Sequence, residues 1–297
     1  MFTKEGLSRL GDIKYNCPLA SFTTFRIGGT AERLIIPYSQ EALPEIFFYL
    51  KKKELPYFIL GGGSNILITS DTLQATVVKL ELNEFYRLDS ENRLYVGSSV
   101  PLRSILRFCL EESLSGLEFL AGVPATLGGA LANNCSFKGK NIFSVIKRVK
   151  VMNPDNGQIS YINTQDIDYG YRFSSLKGLV ILGAEICFLD DSRQSIKQSL
   201  REALSYRINV QELGKYCAGC IFKNTEGSLS AGMLIDQAQL KGLRRGQAYV
   251  SYKHANFIIN EKDATSSDVI FLVEHIKEKV YNKFGILLKE EIERWQC

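Results

Sequence analysis

An α+β fold is predicted by three observations: apolar β-branched runs recur along the first 190 residues, two amphipathic helical repeats interrupt them, and one connection carries hairpin chemistry at nearly every position. Leu43, Ile46, Phe47 and Leu50 recur at helical spacing and predict a helix over 44–53, with Pro44 in its first turn. Extended segments follow at 57–60, 66–68, 76–80 and 93–96. Leu102, Ile105, Leu106 and Cys109 predict a second helix over 101–112, again opened by a proline. Strands are expected at 149–152, 158–162 and 180–188. Asn153-Pro154-Asp155-Asn156-Gly157 joins the first two of these as a hairpin.

The polar stretch 190–194 marks the expected domain boundary, giving an N-terminal domain 1–190 and a C-terminal domain 191–297. Longer helices are expected beyond it, at 195–210 and at 231–240, the latter closed by Gly242. Thr265 and Asp268 have capping-box spacing before the inward set Val269, Leu272, Val273, Ile276 and Val280, and Gly285 ends that helix. No internal repeat or low-complexity tract is visible.

With 297 residues, 45% hydrophobic and 23% charged, the chain has ordinary globular composition and length enough for two domains. No apolar run reaches the length of a membrane span and the N-terminus lacks a signal-peptide core, so a cytoplasmic protein is expected. A net charge of +4 without a basic, aromatic-studded stripe argues against a nucleic-acid partner and suits small anionic ligands. Seven cysteines without a secretory signal read as reduced thiols. Cys217-Ala218-Gly219-Cys220 is the one close pair. With only His254 and His275 elsewhere and no second C-x-x-C, no metal site is expected.

Two glycine clusters point to a ligand. Gly61-Gly62-Gly63-Ser64-Asn65 lies between extended segments and presents backbone N–H groups that suit a pyrophosphate, although a tight turn would use the same residues. Neither a Walker loop nor a G-x-G-x-x-G helix start is present, so a phosphate at this first loop would be held without a helix dipole. The second cluster contains Gly122, Pro124, Thr126, Gly128, Gly129 and Ala130, followed by Asn133 and Asn134. Together the two loops favour a nucleotide-type cofactor.

Eight motifs then occur in order: Thr24-Phe25-Arg26-Ile27-Gly28-Gly29, the loop 61–65, 122–130, Gly170-Tyr171-Arg172, Ala218 to Asn224, Ala231 to Asp236, His254-Ala255-Asn256-Phe257 and 288–292. This set resembles the UDP-N-acetylenolpyruvoylglucosamine reductase (MurB) family over roughly residues 20–295, in its shorter, type II form. The resemblance implies a vanillyl-alcohol-oxidase (PCMH)-type FAD-binding domain of two α+β subdomains, followed by a smaller α+β substrate-binding domain. It also implies NADPH as reductant and UDP-GlcNAc-enolpyruvate as a small-molecule substrate, reduced to UDP-N-acetylmuramate for the peptidoglycan of the cell wall. A monomer is expected.

Residue by residue, the resemblance implies that Arg172 binds the substrate carboxylate as charge builds on it. Cys220 falls where many relatives have serine and others cysteine, as proton donor. An ordinary thiol, ionising near about pH 8.5, is protonated at neutral pH and yields its proton far more readily than a hydroxyl. Glu291 matches the family's second position, where a carboxylic acid beside the intermediate would share a proton with it or orient the arginine, with Glu290 beside it leaving the choice to the family register. Lys223, Asn224, His254 and Asn256 are substrate-binding candidates, and Lys241, Tyr252 and Lys253 further ones; for His254 a structural hydrogen bond and a ligand contact stay equally open. Lys289 and Thr225-Glu226 depart from the family pattern at neighbouring positions. Two alternatives remain: a flavoprotein oxidase of the same fold acting on an alcohol or sugar, and a non-catalytic nucleotide-binding module.

Overall fold

The computed structural model describes residues 4–88, 92–225 and 229–296. Its chain forms two compact units that interleave in sequence: one takes the described residues up to Asn16 with Glu32–Gly62 and Ala75–Ser205, the other takes Cys17–Ala31, Gly63–Gln74 and Tyr206 onward. The contiguous division expected at 190/191 therefore differs from the packing units in two ways. Two N-terminal segments pack with C-terminal residues, and the later limit falls within the helix Arg193–Val210 rather than in the polar stretch before it.

The first unit is built on sheets and the helices that pack against them. Five antiparallel strands lie in the order Ile159–Asn163, Ile146–Met152, Val180–Cys187, Arg93–Gly97, Phe85–Arg87. The hairpin at 153–157 forms as its residues dictate, with Gly157 at φ 72° and Asn153 Oδ1 accepting from Asp155 N at 2.8 Å. The expected helices form as Leu43–Lys52 and Leu102–Glu112, each burying its periodic apolar stripe. Leu102, Ile105 and Leu106 join Leu94, Val96, Leu127 and Val149 in one buried cluster, while Leu43, Ile46, Phe47 and Leu50 join Ile35, Val78 and Leu182 in another. A four-stranded sheet ordered Gly11–Pro18, Thr30–Pro37, Thr72–Lys79, Tyr57–Leu60 has its last pair parallel, matching Tyr57 to Thr76 and Leu60 to Lys79.

The second unit packs helices Ala231–Gln237 and Ser266–Phe284 around Phe25, Leu67, Ile221, Phe222 and Val250. The capping box is present: Thr265 Oγ1 accepts from Asp268 N and the Asp268 carboxylate accepts from Thr265 N, with Gly285 closing the helix at φ 69°. The helix expected to reach 240 stops at Gln237. Gln239 adopts φ 59°, and Gly242 donates to Val250 O at 2.9 Å, so that glycine closes a turn and not a helix. Ile66–Ile68 pairs in parallel with Glu293–Trp295, tying the residues after the first glycine loop to the chain's last strand.

Candidate active site

In the first unit the two glycine clusters meet. The strand Tyr57–Leu60 delivers Gly61 and Gly62 against Thr126: a Cβ on Gly61 would stand 3.2 Å from Thr126 Oγ1, and one on Gly62 would stand 3.4 Å from Thr126 N and Cγ2. Thr126 in turn caps the short helix Leu127–Ala132, its hydroxyl accepting from Gly129 N at 3.5 Å. The second cluster, expected as loop throughout, thus ends in a helical turn. Gly128 is required by packing, since a Cβ there would lie 2.9 Å from Ser98 Cβ, whereas Gly129 has only Thr126 Oγ1, at 3.7 Å, near its missing side chain. Gly122 takes φ 85° beside Pro124, and Ala130 is buried.

These residues fit the FAD that the resemblance implies. Without side chains at Gly61 and Gly62, the backbone N–H groups beside Thr126 stay uncovered to face an anion. Ser98 Oγ and Asn134 Oδ1 are buried in the same unit with no hydrogen-bond partner among the described residues, which suits a polar ligand there.

Arg172 also belongs to this unit. It sits in the two-residue turn between Tyr169–Gly170 and Phe173–Ser174, at φ 54°, a left-handed conformation that costs a non-glycine residue about 1 kcal/mol. The turn is tied down by Asn134 Nδ2 donating to Gly170 O at 2.8 Å and Ser174 Oγ donating to Ala132 O at 3.1 Å. Its guanidinium reaches Ser136 O at 3.5 Å and lies 5.6 Å from the Tyr171 ring centre.

The second unit assembles the remaining site residues. Tyr216 bridges Asn260 and Cys220 bridges Phe257, so the four steps from 216 to 220 face three from 260 to 257, and the surplus is absorbed as a bulge at Gly219, φ 77°. Beyond Cys220 the chain runs between two others: Ile221 N donates to Asn256 O at 2.9 Å, Glu291 N to Ile221 O at 2.8 Å, and Lys223 N to Lys289 O at 2.8 Å. Glu291 therefore stands one backbone bond from the residue after Cys220. Burial pushes the Cys217 thiol up, against a hydrogen bond from the Gly219 amide.

The carboxylate of Glu290 pairs with Lys277 Nζ at 2.5 Å and Arg294 Nη2 at 2.6 Å. The Asn224 side chain accepts from Ala231 N at 3.2 Å, capping the helix Ala231–Gln237. Asn256 is buried with both arms of its carboxamide on Phe222, so it shapes the segment that carries Cys220 and Lys223. His254 Nδ1 accepts from Asn256 N at 3.3 Å, which leaves the proton on Nε2, and burial holds the imidazole below its ordinary pKa. Lys241 pairs with Asp236 and Lys253 donates to Ile208 O.

Sequence reasoning did not anticipate Thr24. Its hydroxyl donates to Cys217 O at 2.8 Å while its amide donates to Gly63 O at 3.0 Å, and its place in the motif 24–29 was the available signal. Among the described residues no group of three His, Cys, Asp or Glu side chains is arranged to hold a metal, and no helix is long and apolar enough to cross a membrane.

Comparison with known proteins matches residues 31–162 to an FAD binding domain family and residues 211–295 to the C-terminal domain of UDP-N-acetylenolpyruvoylglucosamine reductase. The chain is 37% identical over 296 residues to the UDP-N-acetylenolpyruvoylglucosamine reductase of Syntrophobacter fumaroxidans, covering 96% of this chain and 85% of that protein. It is 35% identical to the Clostridioides difficile protein of the same name, covering 95% and 92%. Among solved structures, that of the Thermus caldophilus UDP-N-acetylenolpyruvylglucosamine reductase is similar at 30% identity and TM-score 0.80, covering 96% of this chain and 98% of that one. A Physcomitrella patens BBE-like protein, 11% identical with TM-score 0.57, shares the fold.

Proposed function

The chain belongs to the UDP-N-acetylenolpyruvoylglucosamine reductase family, and we propose from that premise that Arg172, Cys220 and Glu291 divide its catalytic work. The protein is an FAD-dependent oxidoreductase that reduces the enolpyruvyl group of UDP-N-acetylglucosamine-enolpyruvate in peptidoglycan precursor synthesis. When bound, FAD supplies hydride to the enolpyruvyl β-carbon, having received it from NADPH. Gly61, Gly62, Pro124, Thr126 and Gly129 of the first unit would hold its diphosphate through backbone and hydroxyl groups.

Hydride addition drives charge into the substrate carboxylate. Arg172 binds that planar group with its guanidinium fork, already placed by its strained turn, and stabilises the charge as it builds. Glu291, as the carboxylic acid, donates a hydrogen bond to the same carboxylate. The α-carbon then takes a proton from Cys220 Sγ, for which a protonated thiol at neutral pH is well matched. Lys223 and His254 are assigned to the substrate, His254 as a neutral Nε2–H donor, while Asn224 and Asn256 act through the backbone they brace. The enzyme is assigned to the cytoplasm as a monomer.

The observation that supports this reading is the bond from Glu291 N to Ile221 O, which leaves Glu291 one backbone bond from the residue after Cys220 within one unit. Its test separates the two half-reactions. Cys220→Ala is expected to leave NADPH-driven flavin bleaching at the wild-type rate and to slow recovery of the flavin colour on adding substrate by about 10²-fold or more, with Cys220→Ser keeping part of the rate. Recovery at the wild-type rate in stopped flow removes Cys220 from the mechanism.

A further inference from the structure

We propose that Asn65, the last residue of the first glycine loop, is a positioning residue for Glu291 and not a ligand of the cofactor. This rests on the catalytic reading of Glu291 given above. The Asn65 carboxamide donates from Nδ2 to Glu291 O at 3.0 Å, and the Asn65 carbonyl accepts from Glu293 N at 2.9 Å. From there the pairing runs on in register, Glu293 opposite Ile66 and Trp295 opposite Ile68, and ends with Thr69 N donating to Trp295 O at 2.9 Å.

Glu291 is thereby fixed at both of its backbone polar groups. Its N–H is held by Ile221 O and its carbonyl by the Asn65 side chain, while Glu290 next to it is anchored by Lys277 and Arg294. Strand residues one apart face opposite sides. With Glu290 tethered toward the helix Ser266–Phe284, the Glu291 carboxyl is turned the other way, and the angle at which it presents depends on the Asn65 bond. Asn65 thus meets the strand that carries the acid through both its side chain and its carbonyl, and the side chain is the link that reaches Glu291 itself.

Loss of the Nδ2 donor removes that bond to the Glu291 carbonyl and loosens the hold on its orientation, and small misplacement of an acting group slows chemistry by up to about 10²-fold. The test uses Asn65→Ala and, as a guard against misfolding, Asn65→Ser, whose hydroxyl is too short to reach. FAD affinity, titrated on the apoprotein by flavin fluorescence, is expected to stay within about threefold, because removing a mere strand brace leaves the diphosphate contacts in place. Amides of 291–295 are expected to exchange faster in the apoprotein. On the holoenzyme kcat is expected to fall about 10- to 100-fold at unchanged KM for the UDP-sugar. The Asn65→Ala/Glu291→Gln double variant should be no slower than Glu291→Gln alone.

An FAD affinity that falls in step with kcat overturns the proposal in favour of a cofactor ligand, and a kcat at the wild-type level overturns it outright. Glu291→Gln, measured by itself, reports on the underlying reading: full turnover in that variant overturns the role of Glu291 and this one with it. An impaired Glu291→Gln with an unimpaired Asn65→Ala overturns only the positioning role.

Discussion

Asn256 grips Phe222 by both of its backbone polar groups: Oδ1 accepts from Phe222 N at 2.9 Å and Nδ2 donates to Phe222 O at 2.8 Å. The side chain thus imitates a strand neighbour for the segment between Cys220 and Lys223. All four atoms are buried, so removing the amide strands a donor and an acceptor together, at about 1–3 kcal/mol each. Asn256→Ala is expected to lower stability by about 2–6 kcal/mol, read as a fall in the denaturant midpoint at unchanged m-value. Weakened substrate binding at wild-type stability would instead make Asn256 a ligand contact.

Glu290 and Glu291 should part company when each is neutralised. Glu290 stands in a half-buried network with Lys277, Arg294 and Glu274, its own side chain 17% exposed. Glu290→Gln is expected to cost about 1–2 kcal/mol, below the figure for a fully buried pair, with turnover within about threefold of wild type. Glu291→Gln should hold the unfolding midpoint and slow substrate-driven flavin reoxidation. Comparing the two variants by thermal melts and stopped flow decides the assignment.

This pair also shows where sequence reading stops. Helices 44–53 and 101–112 and the capping box at Thr265 were legible because periodicity and capping are local signals that the chain states within a few residues. Neighbouring glutamates in an extended segment carry no such signal, since alternation places one on each side without saying which side is the site. The pairing of Ile66–Ile68 with Glu293–Trp295 joins three-residue strands more than two hundred positions apart, too short for a pattern, so the interleaving of the units stayed hidden. The second glycine cluster was right in composition and incomplete in conformation: two glycines disfavour a helix, but the Thr126 cap and burial of Leu127, Ala130 and Leu131 override that preference.

Consecutive glycines in the first loop are expected to fail differently. At Gly62 a methyl meets Thr126 at 3.4 Å, ordinary contact, so Gly62→Ala should fold normally and lose FAD affinity by tenfold or more, about 1.4 kcal/mol, where backbone must approach the diphosphate. At Gly63 the backbone has φ 62° and a methyl would collide with Phe22 O. Gly63→Ala is therefore expected to destabilise the apoprotein itself by about 1–3 kcal/mol. Flavin fluorescence on the holoenzyme and melting of the apoprotein separate the two outcomes, and equal stability of both apoproteins would contradict the packing at Phe22.

His254 gives a pH dependence whose sign follows from its environment. Desolvation by partial burial lowers its pKa, and Lys241 opposes its charge further, against a backbone hydrogen bond that favours it. The folded imidazole therefore stays neutral at a pH where the unfolded one, with a pKa of about 6.5, has begun to bind a proton. Stability rises with pH wherever the unfolded state binds more protons, so the contribution is fully present above about pH 6.5 and is lost as pH falls toward the lower folded value. In His254→Gln, which keeps the polar bulk and cannot titrate, the slope of stability against pH below about 6.5 should flatten relative to wild type. Urea unfolding at a series of pH values, with the imidazole followed by NMR in the folded protein, checks both halves: an identical slope in the variant, or a folded pKa at or above the unfolded one, contradicts the burial argument.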